Sequence, residues 1–131
     1  MKIKQLKSKS RKRRTMRNQE TTNDATNATT KELSIPDFQA LIRKMYVEKD
    51  IERGVAGTFM WLMEEVGELS TALRDGTQKE REEEFADVFA WLTTIANVVG
   101  VDLNKALTDK YGTGCPGCGK LVCECPNSEK P

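Results

Sequence analysis

Residues 58–99 hold two amphipathic helical segments that mirror each other about Gly76, and this symmetry leaves few folds open. At about 100° per residue, Phe59, Leu62, Met63, Val66, Leu69 and Leu73 share one helix face. Phe85, Val88, Phe89, Leu92, Ile95, Ala96 and Val99 share another. Asp75-Gly76-Thr77 supplies the turn, and Thr77-Gln78-Lys79-Glu80 has the form of a capping box that restarts the helix. The spacing predicts an antiparallel hairpin whose apolar stripes face each other. With Gly76 at its centre, Glu65 stands opposite Asp87, Glu68 opposite Glu84, and Trp61 opposite Trp91. Each acidic pair is spaced i,i+3 and so lies on one helix face. Both pairs fall on the same flank of their stripes, and like flanks meet when antiparallel helices pack. Four carboxylates are therefore expected to converge beside two tryptophans.

The rest of the chain is read outward from this hairpin. Ser34-Ile35-Pro36-Asp37 opens a preceding helix, with Ser34 as N-cap and Pro36 in the first turn. Phe38, Leu41, Ile42, Met45 and Tyr46 continue it to about Lys49. Asp50 to Gly57, with two glycines, reads as a connector with room for a short helical turn, and Thr58 as the next N-cap. Gly100 ends the third helix, and Asp102 caps a short fourth from Leu103 to about Lys110. The fold class expected is all-α, a bundle of three main helices and one short one over residues 32–111. A core of that size is marginal alone. The remaining apolar surface calls for a symmetric oligomer.

Charge is divided along the chain. Residues 1–17 carry nine of the 21 Lys/Arg and none of the 20 acids, so the remainder has twelve bases against twenty acids, a net of −8. Residues 18–31 are polar and rich in Thr and Asn. Neither segment can bury enough apolar surface to offset the entropy of ordering, so 1–31 is expected to be a disordered tail. The basic run reads as a tether for nucleic acid or an acidic partner, or as a solvated tail, or as an upstream extension if translation begins at Met16. The chain has no histidine, which excludes His-dependent nucleophilic catalysis and the Glu-x-x-His motif of di-iron bundles. No apolar run reaches membrane-spanning length and the basic start lacks a signal-peptide core, so the expected compartment is the cytosol.

Clustered carboxylates repel one another unless a cation joins them. An all-oxygen ligand set suits Mg²⁺ or Mn²⁺, and Mg²⁺ characteristically shares its shell with substrate phosphates. On an acidic, His-free body this points to phosphate-ester or phosphoanhydride chemistry. Either acidic pair alone would read as a solvated helix face; the matched register of the two pairs is what singles them out. Glu64 lies nearly opposite its stripe, where solvation is as fitting as a place near the metal. Glu80, Glu82 and Glu83 read as surface acids favoured by the helix dipole.

The pattern Glu64-Glu65-Val66-Gly67-Glu68, a short spacer, then Glu84-Phe85-Ala86-Asp87 resembles the MazG-like nucleoside triphosphate pyrophosphohydrolases, the all-α NTP pyrophosphatases. The likeness spans about residues 34–111 and includes Gly57-Thr58-Phe59-Met60-Trp61-Leu62 and Val101-Asp102-Leu103. It implies hydrolysis of a (d)NTP to the (d)NMP and pyrophosphate by water attack at the α-phosphorus. It also implies Mg²⁺ held by Glu65, Glu68, Glu84 and Asp87, dimers or tetramers whose interface helps build the nucleotide pocket, and a house-cleaning role in the nucleotide pool. Glu64 would orient or deprotonate the water. Trp61 and Trp91 would stack on the base, or else be buried between helices or subunits. Lys110 would contact phosphate, or else complement the dipole at the end of its helix. Tyr111-Gly112-Thr113-Gly114 stands where an Asn/Arg-containing stretch commonly follows that lysine.

The last segment, 112–131, contains Cys115, Cys118, Cys123 and Cys125, spaced C-x₂-C-x₄-C-x-C. Four thiolates without histidine read as a structural Zn²⁺ site resembling a zinc-ribbon knuckle, or as a flexible thiol tail or redox-labile disulfides. Three functions thus stand against one another. A hydrolase uses the quartet and has no need of residues 1–17. A nucleic-acid adaptor would use the basic tail and the zinc knuckle and has no use for converging acids. A non-catalytic nucleotide sensor is permitted by the altered segment after Lys110.

Overall fold

The computed structural model describes residues 31–126. The basic and Thr/Asn-rich tail expected over 1–31 lies outside the described residues except for Lys31, and so do residues 127–131. Three helices occur among the described residues: α1 (Ile35–Asp75), α2 (Gln78–Val99) and α3 (Leu103–Tyr111). All belong to one compact unit beginning at Glu32. No single helix among the described residues is long and apolar enough to cross a membrane.

The chain departs from expectation at 50–57. In place of a connector, the first two expected helices run together as α1, broken at the single residue Gly54, where φ is 72° and ψ 176°. Ile51, Glu52, Arg53, Val55 and Ala56 all tolerate helix, so only the residue able to adopt that backbone leaves it. Thr58 is therefore not a cap. It is fully buried inside the second arm of α1, and its hydroxyl donates to the Gly54 carbonyl at 2.8 Å. The break lets the two arms, 35–53 and 55–75, each pack on α2.

The other boundaries follow local chemistry. The Ser34 hydroxyl accepts from Asp37 N–H at 3.3 Å. At the hairpin turn a Cβ on Gly76 would meet the Ala72 carbonyl oxygen at 2.6 Å, so the close approach requires glycine there. The capping box forms in full: Thr77 N–H donates to Glu80 Oε2 at 2.8 Å, and Glu80 N–H donates to Thr77 Oγ1 at 3.2 Å. Gly100 closes α2 in the left-handed conformation, and Asp102 accepts from Lys105 N–H at 2.8 Å to start α3. Gln39 ties the three helices together. Its amide donates to Asn97 Oδ1 at 3.1 Å and to the Val101 carbonyl at 2.7 Å, while its oxygen accepts from Leu103 N–H at 3.0 Å.

The α1–α2 hairpin is antiparallel, as the mirrored segments imply, but its seam is rotated from the predicted stripe. Leu62 and Ala72 on α1 and Ala96 on α2 turn inward, with half-buried Glu65, Leu69, Glu84, Val88 and Trp91 along the same line. Phe59, Val66 and Leu73 on α1, and Phe85, Leu92 and Val99 on α2, stay exposed on the other flank. A stripe this wide exceeds what one neighbouring helix covers. Among the described residues only Ile42, Leu62, Ala72 and Ala96 are buried hydrophobics. Replacing Gly54 by alanine should cost about 1–3 kcal/mol, because its backbone lies in a region almost reserved for glycine. Urea unfolding followed by circular dichroism measures this, and an unchanged midpoint would show that the break is not imposed there.

Candidate active site

The second arm of α1 and the first half of α2 bring acidic side chains together at mid-seam. Carboxylate oxygens of Glu65, Glu84 and Asp87 lie within 4.8 Å of one another. Glu65 and Glu84 are half-buried and Asp87 is exposed. Glu68, the fourth of the expected quartet, stands outside this triad. It borders a neighbouring hollow of about 360 Å³ near the turn together with Glu80 and Glu84. Glu64 is exposed and also stands apart from the triad.

The triad is electrostatically unrelieved. Burial raises the pKa of Glu65, with further increases from the charges of Glu68 and Asp87, against a lowering by the hydrogen bond from Trp91. Glu84 is raised by burial and then by Glu68, Asp87, Glu83 and Glu80. One oxygen of Glu84, Oε2, is buried without a hydrogen-bond partner. An unsatisfied buried carboxylate oxygen costs at least about 1–3 kcal/mol. Hard oxygen donors, mutual repulsion and an orphaned oxygen together are what a divalent cation such as Mg²⁺ satisfies, so these residues fit one.

The two tryptophans meet, with ring centroids 5.8 Å apart and planes 12° from parallel. Trp91 also donates its indole N–H to Glu65 Oε1 at 3.2 Å, fixing the orientation of one triad member. The Arg53 guanidinium lies 5.0 Å from the Trp91 ring centroid. Trp91 is thus a held, half-buried part of the seam, whereas Trp61 is 46% exposed. Lys110 sits in the last turn of α3 with its ammonium 5.3 Å from the Tyr111 ring, and is not among the residues gathered at the triad.

Two residues not singled out in the sequence join the site. Asp50 and Arg53 pair at 3.0 Å on the first arm of α1. With Tyr46, Lys49, Asp87 and Trp91 they wall a cleft of about 370 Å³ between that arm and α2. The i,i+3 spacing of opposite charges was the available signal; reading 50–57 as a connector hid it.

In the cysteine loop, one sulfur from each of Cys115, Cys118, Cys123 and Cys125 lies within 4.8 Å of the others. Cys115 N–H donates to the Lys120 carbonyl at 2.9 Å and Gly119 N–H to the Cys115 carbonyl at 2.7 Å, closing a tight knuckle. Backbone N–H groups of Glu124 and Lys120 hold Cys118 down to about 6, and those of Cys118 and Gly117 lower Cys115. The neighbouring thiols Cys123 and Cys118 push Cys125 up to about 12. Backbone donors aimed at clustered sulfurs suit thiolate ligation, and four sulfurs in this arrangement could hold Zn²⁺.

No curated protein matches the chain. A family model does, that of the MazG nucleotide pyrophosphohydrolase domain, over residues 54–119, half the chain and all of the triad. That match, over helices that place the motif carboxylates together at the seam, makes the chain a member of the MazG nucleotide pyrophosphohydrolase domain family.

Proposed function

We propose that the protein is a Mg²⁺-dependent nucleoside triphosphate pyrophosphohydrolase that converts a (d)NTP to the (d)NMP and pyrophosphate in house-cleaning of the nucleotide pool. The observation that carries this reading is the Glu65–Glu84–Asp87 triad with its orphaned Glu84 oxygen, in a chain of this family. Glu65, Glu84 and Asp87, with Glu68 beside them, would hold Mg²⁺ (or Mn²⁺), which when bound offsets phosphate charge and lowers the pKa of water.

The protein's own groups account for the rest. Trp91 keeps Glu65 turned toward the other two acids. Lys49, on the wall of the cleft that Asp87 also borders, offers positive charge to a polyphosphate that the acidic body would otherwise repel. In the reaction a water oxygen bonds to the α-phosphorus, the bridging oxygen departs with pyrophosphate, and the water's proton passes to a carboxylate or to solvent. Glu64, exposed next to Glu65, is the residue assigned to that water. Trp61 offers the more accessible ring for base stacking, and Lys110 remains assigned to phosphate. The exposed flank of both apolar stripes supports closure by a second copy, as dimer or tetramer. The cysteine loop is assigned a structural Zn²⁺, and thiolate ligation and the nucleotide pool both fit the cytosol.

The sensor reading keeps one observation in its favour: Lys110 is engaged with Tyr111. The adaptor reading rests on the basic tail, which lies outside the described residues except for Lys31, together with the cysteine knuckle.

Pyrophosphate release from a panel of NTPs and dNTPs, with Mg²⁺, Mn²⁺ or EDTA, tests the reading. Glu84→Gln and Asp87→Asn should each lower metal-dependent turnover by about 100-fold or more with unchanged circular dichroism. Undiminished turnover would remove the triad from the mechanism; nucleotide binding without turnover in wild-type protein would favour the sensor.

The raised pKa of Glu65 and Glu84 also fixes the sign of a stability effect. A carboxyl whose folded pKa lies above its unfolded value contributes stability at low pH that is lost as pH rises through the folded pKa. In EDTA, the contribution of these two groups should therefore grow as pH falls from neutrality toward the ordinary glutamate value of 4.5. Mg²⁺ at neutral pH should raise the melting temperature, and Glu84→Gln should shrink both effects. A melting temperature indifferent to Mg²⁺ would count against ligation.

The zinc assignment predicts a single zinc ion per chain by elemental analysis. Cys118→Ser should lose that zinc and make the loop protease-sensitive, with the helical signal retained. Stoichiometric disulfides in protein purified without oxidant would refute it.

A further inference from the structure

Arg53 is the last residue of the first arm of α1 before the break at Gly54, and Asp50 stands one turn earlier. Asp50 is 2% exposed, and its Oδ1 accepts from Arg53 Nη1 at 3.0 Å. Its Oδ2 is buried and accepts no hydrogen bond, so among the described residues Arg53 is the one partner of this carboxylate. A buried carboxylate with a single partner holds it firmly, because release would leave the charge alone in a poor solvent. The Arg53 guanidinium lies 5.0 Å from the centroid of the Trp91 ring. The ring could not keep it there unaided. Fixing an arginine loses more rotamer entropy than a partly solvated cation–π contact returns. The charge-assisted bond to Asp50 makes up the difference.

Trp91 passes this order on. Its indole N–H donates to Glu65 Oε1 at 3.2 Å, and its ring stacks on Trp61. A carboxylate tied at one oxygen cannot turn freely about its terminal bond. The direction in which Glu65 faces Glu84 and Asp87 therefore depends on where the Trp91 ring stands. We infer that Asp50 and Arg53 are positioning residues that act through Trp91, a strut from the first arm of α1 that sets the orientation of Glu65 and thereby the triad's grip on a divalent cation. The last step rests on the metal reading of the triad; the three contacts that make the strut do not. The strut also spans the break at Gly54. Arg53 precedes it, Glu65 follows it, and Trp91 on α2 joins the two.

Nitrogen–proton correlation spectra of the full chain in EDTA read the strut without metal or substrate. The chain has two tryptophans, and Trp61→Phe assigns their indole signals. In wild-type protein the Trp91 N–H should exchange with solvent about tenfold or more slowly than that of Trp61, as befits a hydrogen bond to a charged group. Asp50→Leu with Arg53→Met replaces the pair by apolar side chains, a change that folded proteins often tolerate. It should speed that exchange about threefold or more while the backbone amides of α2 keep their rates. Asp50→Asn, which keeps the shape and removes the charge, should move the exchange in the same direction.

Calorimetric titration with Mn²⁺ reads the last step. Affinity should fall about threefold or more in the double variant and about tenfold in Trp91→Phe. Added to Trp91→Phe, the double substitution should weaken Mn²⁺ no further, because the N–H through which it acts is already gone. A Trp91 N–H that exchanges as fast as that of Trp61 overturns the inference before any variant has to fold. Unchanged exchange in the folded variants does the same. So does an equal loss of Mn²⁺ affinity with and without Trp91→Phe, which is what general loosening of the fold would give. Undiminished Mn²⁺ binding in the double variant sinks the inference and leaves the metal reading standing. Wild-type protein that binds no Mn²⁺ sinks the metal reading and the grip on the cation, while the exchange rates still decide whether the strut orients Glu65.

Discussion

The packing of α1 against α2 forces half-buried carboxylates into the seam between two helices, and the rest of the molecule answers that constraint. Glu65 and Glu84 occupy positions on the inward line that a purely structural hairpin would give to leucine. The hairpin therefore holds a concentration of like charge where solvent is partly excluded, and burial together with neighbouring acids raises the pKa of both groups. Stability is surrendered at this point, since like charges are held together where burial disfavours them. The surrounding devices compensate with rigid local chemistry: the capping box at Thr77, the Gln39 clamp across three helices, and the Trp61–Trp91 stack.

The same constraint explains the exposed apolar surface. Because the acidic flank of each helix turns into the seam, the opposite flank of each stripe turns out. Phe59, Val66, Phe85 and Leu92 are left exposed. Each Å² of apolar area left in water forgoes roughly 25 cal/mol of stabilisation, so this exposure is a cost the hairpin carries. The acidic seam and the exposed apolar flank are two sides of one rotation of the helices.

Much of this was legible in the sequence. The mirrored periodicity about Gly76, the i,i+3 acids and the Thr77–Glu80 box specify a hairpin and its register without reference to anything distant, because each is a local rule. Trp61 meeting Trp91, and Glu65 meeting Asp87, follow from that register alone. What could not be read locally was rotation. Periodicity gives the centre of a wide stripe, and only the competition between neighbours decides which edge of it is buried. The segment 50–57 was misread because two glycines suggested a loop, although only Gly54 leaves the helix, and with that reading went Asp50 and Arg53.

The break at Gly54 has a consequence for how such a site can vary. The acids lie on the second arm and on α2, whereas Tyr46, Lys49, Asp50 and Arg53 lie on the first arm. A residue gained or lost beside Gly54 would turn the whole first arm by about 100° about its axis while the seam that holds the acids kept its register. The polypeptide thus keeps its acidic cluster and the opposite wall of the neighbouring cleft in separate helical phases, joined at a single peptide unit, and one can be rewritten while the other is conserved.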